Sequence, residues 1–373
     1  MSAVEKRNQW LDLWRALAVL MVVISHGLNF IPGSDTIMLV RTMLGFFGVE
    51  IFFCLSGFLI GGIFLDVIRN FDGSLTKLTT FMTRRWFRTL PNYYFYLAVN
   101  ITISLVGLAA PIPTDIGRYL VFTQNIVSPH PTFFPEAWSL SIEEIFYFLL
   151  PLTFFGIWAI LRKPVPALLA TLFLLLSVSM ALRYHGAMEA TLWDEQVRKV
   201  TLFRIDSLMW GVLLSILHRT IPASRRCILQ RGSYAIACLL PIAVYTTTHG
   251  TDWMNKSLFA KFWLFPIASL GICGILSLGL KFSLPRMVTA ITSAIAKLSY
   301  SMYLSNIAVL LVMLYLVGVT NSTADNLIRL AAYFPAVIAV SALSYYFVEK
   351  PFLWVRDRWF PAGRTLMPTG TVA

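Results

Sequence analysis

The 373-residue sequence is 57% hydrophobic and only 13% charged, with a mean hydropathy of +0.72. Soluble domains carry about 25% charged residues, so a water-soluble globule is excluded and a bilayer is the expected solvent. The formal charge of +12 and the pI near 9.7 do not point to nucleic acid, because the basic excess sits in short connections between apolar runs, the ordinary pattern of membrane topology.

A hydrocarbon core of about 30 Å takes about 20 mostly apolar residues per helix. Ten such runs centre on residues 13–30, 43–65, 91–110, 139–161, 165–182, 201–217, 233–248, 262–280, 298–318 and 327–347. The predicted fold is an all-α, polytopic membrane bundle of about ten transmembrane helices, one transmembrane domain over residues 1–359 followed by a mobile tail over 360–373. The run at 165–182 is short for a full crossing. Lys6 and Arg7 ahead of ALAVLMVVISHG resemble the start of a signal peptide, but no small-residue cleavage site follows, so the segment is expected to stay as a first transmembrane helix. Cys54, Cys227, Cys238 and Cys273 show neither a close pair nor metal-ligand spacing; they read as packing residues, and no metal is expected.

Orientation follows from the Lys and Arg residues between the runs. With the N-terminus in the cytoplasm, 20 fall inside and 8 fall outside or at the outer boundary (Arg41, Arg118, Arg183, Arg198, Lys199, Lys256, Lys261 and Arg329), while Arg15 and Arg204 lie within helices. Both termini are therefore expected in the cytoplasm.

Ionisable groups at membrane depth cost roughly 2.5–3.5 kcal/mol to insert, so each needs a partner, a wet cavity or a function. The first helix carries Arg15 near the cytoplasm and His26 deep, separated by roughly 16 Å at about 1.5 Å per residue. Glu50, in GVEIFFCLSGFLI on the second run, reaches a similar depth to His26, so the two could pair; a buried structural hydrogen bond is the plainer reading. WSLSIEEIFYFLLP places Glu143 and Glu144 near the outer face about 100° apart, so one at most faces the interior. Glu143 is the better candidate and Glu144 the better helix cap or headgroup contact. Arg204 and Asp206 in RIDSLMWG suit an interhelical charge pair, and Asn306 in LSYSMYLSN suits either interhelical bonding or a ligand contact. Arg84, Arg85 and Arg88, just ahead of the third run, can bind phosphate, although juxtamembrane arginines often only fix topology.

Together these segments resemble the membrane acyltransferase-3 family, which O-acylates bacterial surface polysaccharides, lipopolysaccharide and related glycans. The resemblance spans nearly the whole chain and rests on Arg15 and His26, GVEIFFCLSGFLI, Arg85 and Arg88 followed by Pro91, WSLSIEEIFYFLLP, RIDSLMWG, LSYSMYLSN and a closing FVEKPF with Glu349. It implies a bacterial inner-membrane enzyme with acyl-CoA, usually acetyl-CoA, as cytoplasmic donor, and importance for Arg15, His26, Arg85 and Arg88. Glu50 stands where an Asp is common, and Asn306 where the family often has His. Some relatives carry a fused extracytoplasmic esterase-like domain; none is expected here, so the expectation is that the protein completes transfer alone or hands the acyl group to a separate extracytoplasmic transferase.

The expected chemistry has Arg15, Arg85 and Arg88 on the donor and His26 as general base toward the acceptor hydroxyl, with Glu50 or Glu143 orienting the ring. An acyl-histidine route stays equally open. The expected partners are a carbohydrate acceptor and membrane lipid, not nucleic acid. Two other classes remain: a secondary transporter or glycan flippase, since intramembrane charge also serves transport, and a catalytically inert sensor or scaffold.

Overall fold

The computed structural model describes residues 8–69, 71–221, 233–279 and 284–361. Among them the regular structure is helical, with no strand. The long helices are α1 (Gln9–Gly27), α2 (Asp35–Ile68), α3 (Leu75–Leu105), α4 (Ala137–Leu161), α5 (Pro164–Glu189), α6 (Thr201–Thr220), α7 (Ser233–His249), α8 (Leu258–Leu278), α9 (Arg286–Val317) and α10 (Thr323–Ser344), closed by α11 (Lys350–Trp359). Eight of the described helical segments are long and apolar enough to cross a membrane. The two other expected runs are present as α3 and α7, the second of which is a shorter apolar helix.

Local chemistry sets several helix starts. The Asn8 side chain accepts hydrogen bonds from the Trp10 and Leu11 amides at 3.1 and 3.4 Å, and Ser34, Ser257 and Ser322 cap α2, α8 and α10 in the same way. Pro164 sits in the first turn of α5, where its missing N–H costs nothing. The run expected to be short is a 26-residue helix, because the pattern continues through SMALRYHGAME despite its charges.

A second difference is larger. α3 begins well before the expected run, so Arg84, Arg85 and Arg88 lie within its helical body and not in a loop ahead of it. Pro91 is accommodated inside the same helix. Polar residues can occupy this stretch because they face cavities and neighbouring helices. Similarly, Arg183, counted as an outer boundary residue, is fully buried within α5.

α2 is the central element. It packs along α6 and α1, and its approach to α6 is close enough that a Cβ at Gly57 would lie 1.9 Å from the Leu208 carbonyl oxygen. Gly211 meets the Cys54 carbonyl oxygen at 2.2 Å in the same sense, so this crossing requires the two glycines. Cys54 and Cys273 are buried packing residues beside it, Cys238 is half-buried, and Cys227 lies outside the described residues. The tail expected to be mobile also lies outside the described residues beyond 361.

Candidate functional site

Some of the buried charges are paired deep between helices, and others face cavities. Arg204 donates to Glu50 Oε1 at 2.6 Å, and Arg183 donates to Asp206 Oδ1 at 2.7 Å; all four side chains are fully buried. The expected neighbours Arg204 and Asp206 thus turn to different helices, tying α6 to α2 and to α5. The Arg204 guanidinium also lies 3.7 Å over the Phe265 ring of α8. Glu50 therefore does not pair with His26. The positions of the two residues along their helices suggested a pair, but the two side chains face different neighbours.

His26 instead meets Asn306. The Asn306 side-chain NH₂ donates to the Met302 and Tyr303 carbonyls at 3.2 and 2.6 Å, which turns Oδ1 toward the imidazole. A carbonyl oxygen only accepts, so His26 Nδ1 carries the proton in this contact. Nε2, with no protein partner among the described residues, is left as the basic nitrogen. The expectation that Glu50 or Glu143 orients this ring is corrected: a neutral amide on α9 does so.

Glu143 belongs to a different cluster. Arg85 donates to Glu143 Oε2 at 3.0 Å and to the Tyr147 hydroxyl at 2.7 Å, and Ser56 donates to Glu143 Oε1 at 3.1 Å. Arg85 is therefore held before any ligand arrives. Arg15 pairs with Asp12 at 3.5 Å, and Arg84 bonds Asp357 at 3.2 Å. Arg88 makes no hydrogen bond or ion pair with the described residues. Glu144, expected at the helix start or among headgroups, is buried.

Two cavities contain these groups. One, of about 110 Å³, is lined by Arg15, Arg85, Arg88, Glu143, Ser56 and Tyr300. The other, of about 460 Å³, is lined by His26, Arg41, Glu136, Trp138, Trp193 and Arg198. They lie toward opposite ends of α1, since the first takes Arg15 and the second Val22, Ser25 and His26. Val49 and Tyr303 line both. The Tyr303 hydroxyl is 2.5 Å from Ser139 Oγ, which fixes the ring between the cavities. The arrangement can admit one reactant from each end and separate them by a layer of side chains.

Residues 8–346 match the family model described as an acyltransferase domain, of the acyltransferase-3 type. The chain belongs to the acyltransferase-3 family. It is a multi-pass membrane protein. It is 25% identical over 408 residues to the peptidoglycan O-acetyltransferase OatA of Listeria monocytogenes, covering 97% of this chain and 61% of that protein. With the O-acetyltransferase OatA of Staphylococcus aureus it shares 24% identity over 382 residues, 94% of this chain and 58% of the relative. The chain thus spans little more than half the length of the curated relatives it matches. No solved structure matches it.

Among the family segments, the fold brings His26, backed by the buried Asn306, to one cavity and Arg15, Arg85, Arg88 and Glu143 to the other, sets Tyr303 on the wall of both, and separates Glu50 from both. FVEKPF closes against the bundle through Glu349, which accepts from Ser301 Oγ at 2.9 Å. No group of three or more His, Cys, Asp or Glu able to hold a metal occurs among the described residues. The sequence reading missed Glu136, a buried lining residue of the larger cavity. Its only signal is a carboxylate following Pro135 at the start of an apolar run.

Proposed function

We propose that this protein transfers an acyl group, acetyl in the simplest case, from cytoplasmic acyl-CoA to a hydroxyl of a cell-surface carbohydrate in the bacterial inner membrane. The observation that carries the reading is the pair of cavities meeting at Val49 and Tyr303, one basic and the other holding His26. Family membership and the O-acetyltransferase relatives support acyl transfer; the peptidoglycan named for the Listeria relative supports a glycan acceptor.

In this reading the Arg88 side is the donor chamber. Arg88, without a protein partner among the described residues, takes a CoA phosphate by charge-assisted hydrogen bonds, while Arg15 and the Glu143-bound Arg85 shape the surrounding wall. The thioester then reaches the Tyr303 layer. On the other side His26 Nε2 accepts the proton of the acceptor hydroxyl as its oxygen attacks the thioester carbonyl carbon. The carbon–sulfur bond breaks, and the departing thiolate takes the proton back from the imidazolium. Asn306 keeps the ring in the tautomer that leaves Nε2 unprotonated.

The test is transfer by the purified protein from acetyl-CoA labelled in the acetyl group, in membranes carrying the native surface glycan. Base-labile label on the glycan is the expected result. Movement of a glycan or solute without label transfer would instead establish the transport reading.

A further inference from the structure

The larger cavity carries three carboxyl side chains, and two are committed to cations. Asp194 bridges Arg198 at 2.6 Å and Lys199 at 2.7 Å, one oxygen to each. Glu195 bonds Lys199 at 2.7 Å and is 44% exposed. Glu136 differs on both counts. It is 2% exposed, it has no cation partner among the described residues, and its Oε2 makes no hydrogen bond there.

Glu136 is nevertheless firmly placed. Its Oε1 accepts the Ile307 N–H at 3.1 Å, and its own carbonyl lies 3.4 Å from the Tyr303 hydroxyl. Ile307 follows Asn306, so adjacent residues of α9 hold Glu136 and His26 respectively. A buried carboxyl oxygen with no partner is costly unless something supplies one. A chamber built in this way suits a ligand rich in hydroxyl groups, and Trp138 and Trp193 in the same wall add flat apolar surface.

We propose that Glu136 is the acceptor-binding carboxyl of the larger cavity, its Oε2 hydrogen-bonding a hydroxyl of the incoming carbohydrate so that the reacting hydroxyl is presented to His26 Nε2. The proposal rests on the acyl-transfer reading above. A site that pairs a buried polar atom with a substrate hydroxyl also selects for it, because a ligand lacking that hydroxyl leaves the atom unpaired.

The decisive variant is Glu136→Gln. Its amide carbonyl still accepts the Ile307 N–H, so the tether to α9 survives while the carboxyl oxygen is replaced by an amide NH₂. Wild type, Glu136→Gln, Glu136→Ala and His26→Ala are each returned to the strain of origin lacking its own copy, and base-labile O-acetate on the surface glycan is measured per folded molecule. Folded protein is scored by thermal midpoint in detergent and by acetyl-CoA binding. The expected result for Glu136→Gln is at least about a tenfold loss of O-acetate, corresponding to about 1.4 kcal/mol, with wild-type acetyl-CoA affinity and thermal midpoint. Wild-type output per folded molecule in Glu136→Gln, with a defect confined to Glu136→Ala, means that only the Ile307 tether matters and overturns the proposal. A wild-type protein that restores no O-acetate overturns the acyl-transfer reading itself.

Discussion

His26 and Asn306, 280 positions apart in the chain, join α1 to α9 through a side-chain contact between Nδ1 and Oδ1. The contact fixes which imidazole nitrogen is available, so its loss should appear in turnover before it appears in binding. His26→Ala is expected to lower transfer by about 10²–10⁴ while acetyl-CoA still binds, the usual contribution of a general base. Asn306→Ala should lower turnover less, with unchanged acetyl-CoA affinity, because the ring remains but is no longer oriented. Steady-state rates per folded molecule, alongside donor titration, check both; wild-type turnover in His26→Ala would remove it from the chemistry.

The two cavity arginines of α3 should behave differently. Arg88→Ala is expected to weaken acetyl-CoA binding by at least about tenfold, since a hydrogen bond to a charged group is worth about 1.5–3 kcal/mol. Arg85→Ala removes the cation from Glu143 and should cost about 2 kcal/mol of stability, less than a fully buried pair because both partners retain some exposure. Calorimetric titration and thermal unfolding in detergent separate the two effects. Equal and unchanged donor affinity in both variants removes them from the donor site.

Glu50 is expected to be a stabilising residue. Its partner Arg204 is fully buried with it, so Glu50→Ala leaves an uncompensated charge and should cost about 3–5 kcal/mol. Removing both charges, as in Glu50→Met with Arg204→Met, should recover much of that loss. Activity per folded molecule is the discriminating quantity: a loss of turnover in folded Glu50→Gln would return this residue to the catalytic set.

Burial pushes the Glu136 carboxyl up to about 8, from an ordinary value of 4.5. The charged groups facing its cavity are Arg41, Arg198 and Lys199, with Asp194 and Glu195 offsetting the last two, and the titratable His26 and Tyr303 complete the wall. A carboxyl raised on folding binds more protons in the folded state between the two values, so its contribution to stability is greatest at low pH and falls as pH rises toward 8. The stability of Glu136→Gln relative to wild type should therefore increase from pH 5 to about pH 8 and level off above it. Thermal midpoints of the two proteins across that range give the difference directly; a constant difference contradicts the raised value.

The 20 to 8 distribution of basic residues predicts a cytoplasmic C-terminus. A reporter fused after Ala373 should be active in the form that works only in the cytoplasm. Activity of the periplasm-dependent form would reverse the orientation and exchange the faces assigned to the two chambers.

What the sequence determined by itself is the helical content and the kind of solvent. In lipid each segment must satisfy its own backbone hydrogen bonds, so an apolar run of sufficient length becomes a helix whatever its neighbours do. Expected runs such as 201–217 and 327–347 therefore reappear as α6 and α10 with shifted ends. The ordered segments around His26, Glu143 and Asn306 also carried enough of the family pattern to be read directly. Where α3 begins was less legible, because RRWFRTLPNYY is too polar for a hydropathy rule and is helical through its tertiary surroundings.

The pairing of buried charges was decided by tertiary structure alone. Position along a helix gives depth, but a contact also needs the direction a side chain faces and the identity of the helix beside it. Depth suggested His26 with Glu50; facing direction gave Glu50 to Arg204 on α6 and His26 to Asn306 on α9. Glu136 was hidden for the same reason. A carboxylate at the start of an apolar run looks like a solvated helix end, and only the packing of α9 against it makes it a buried wall of the chamber that holds His26.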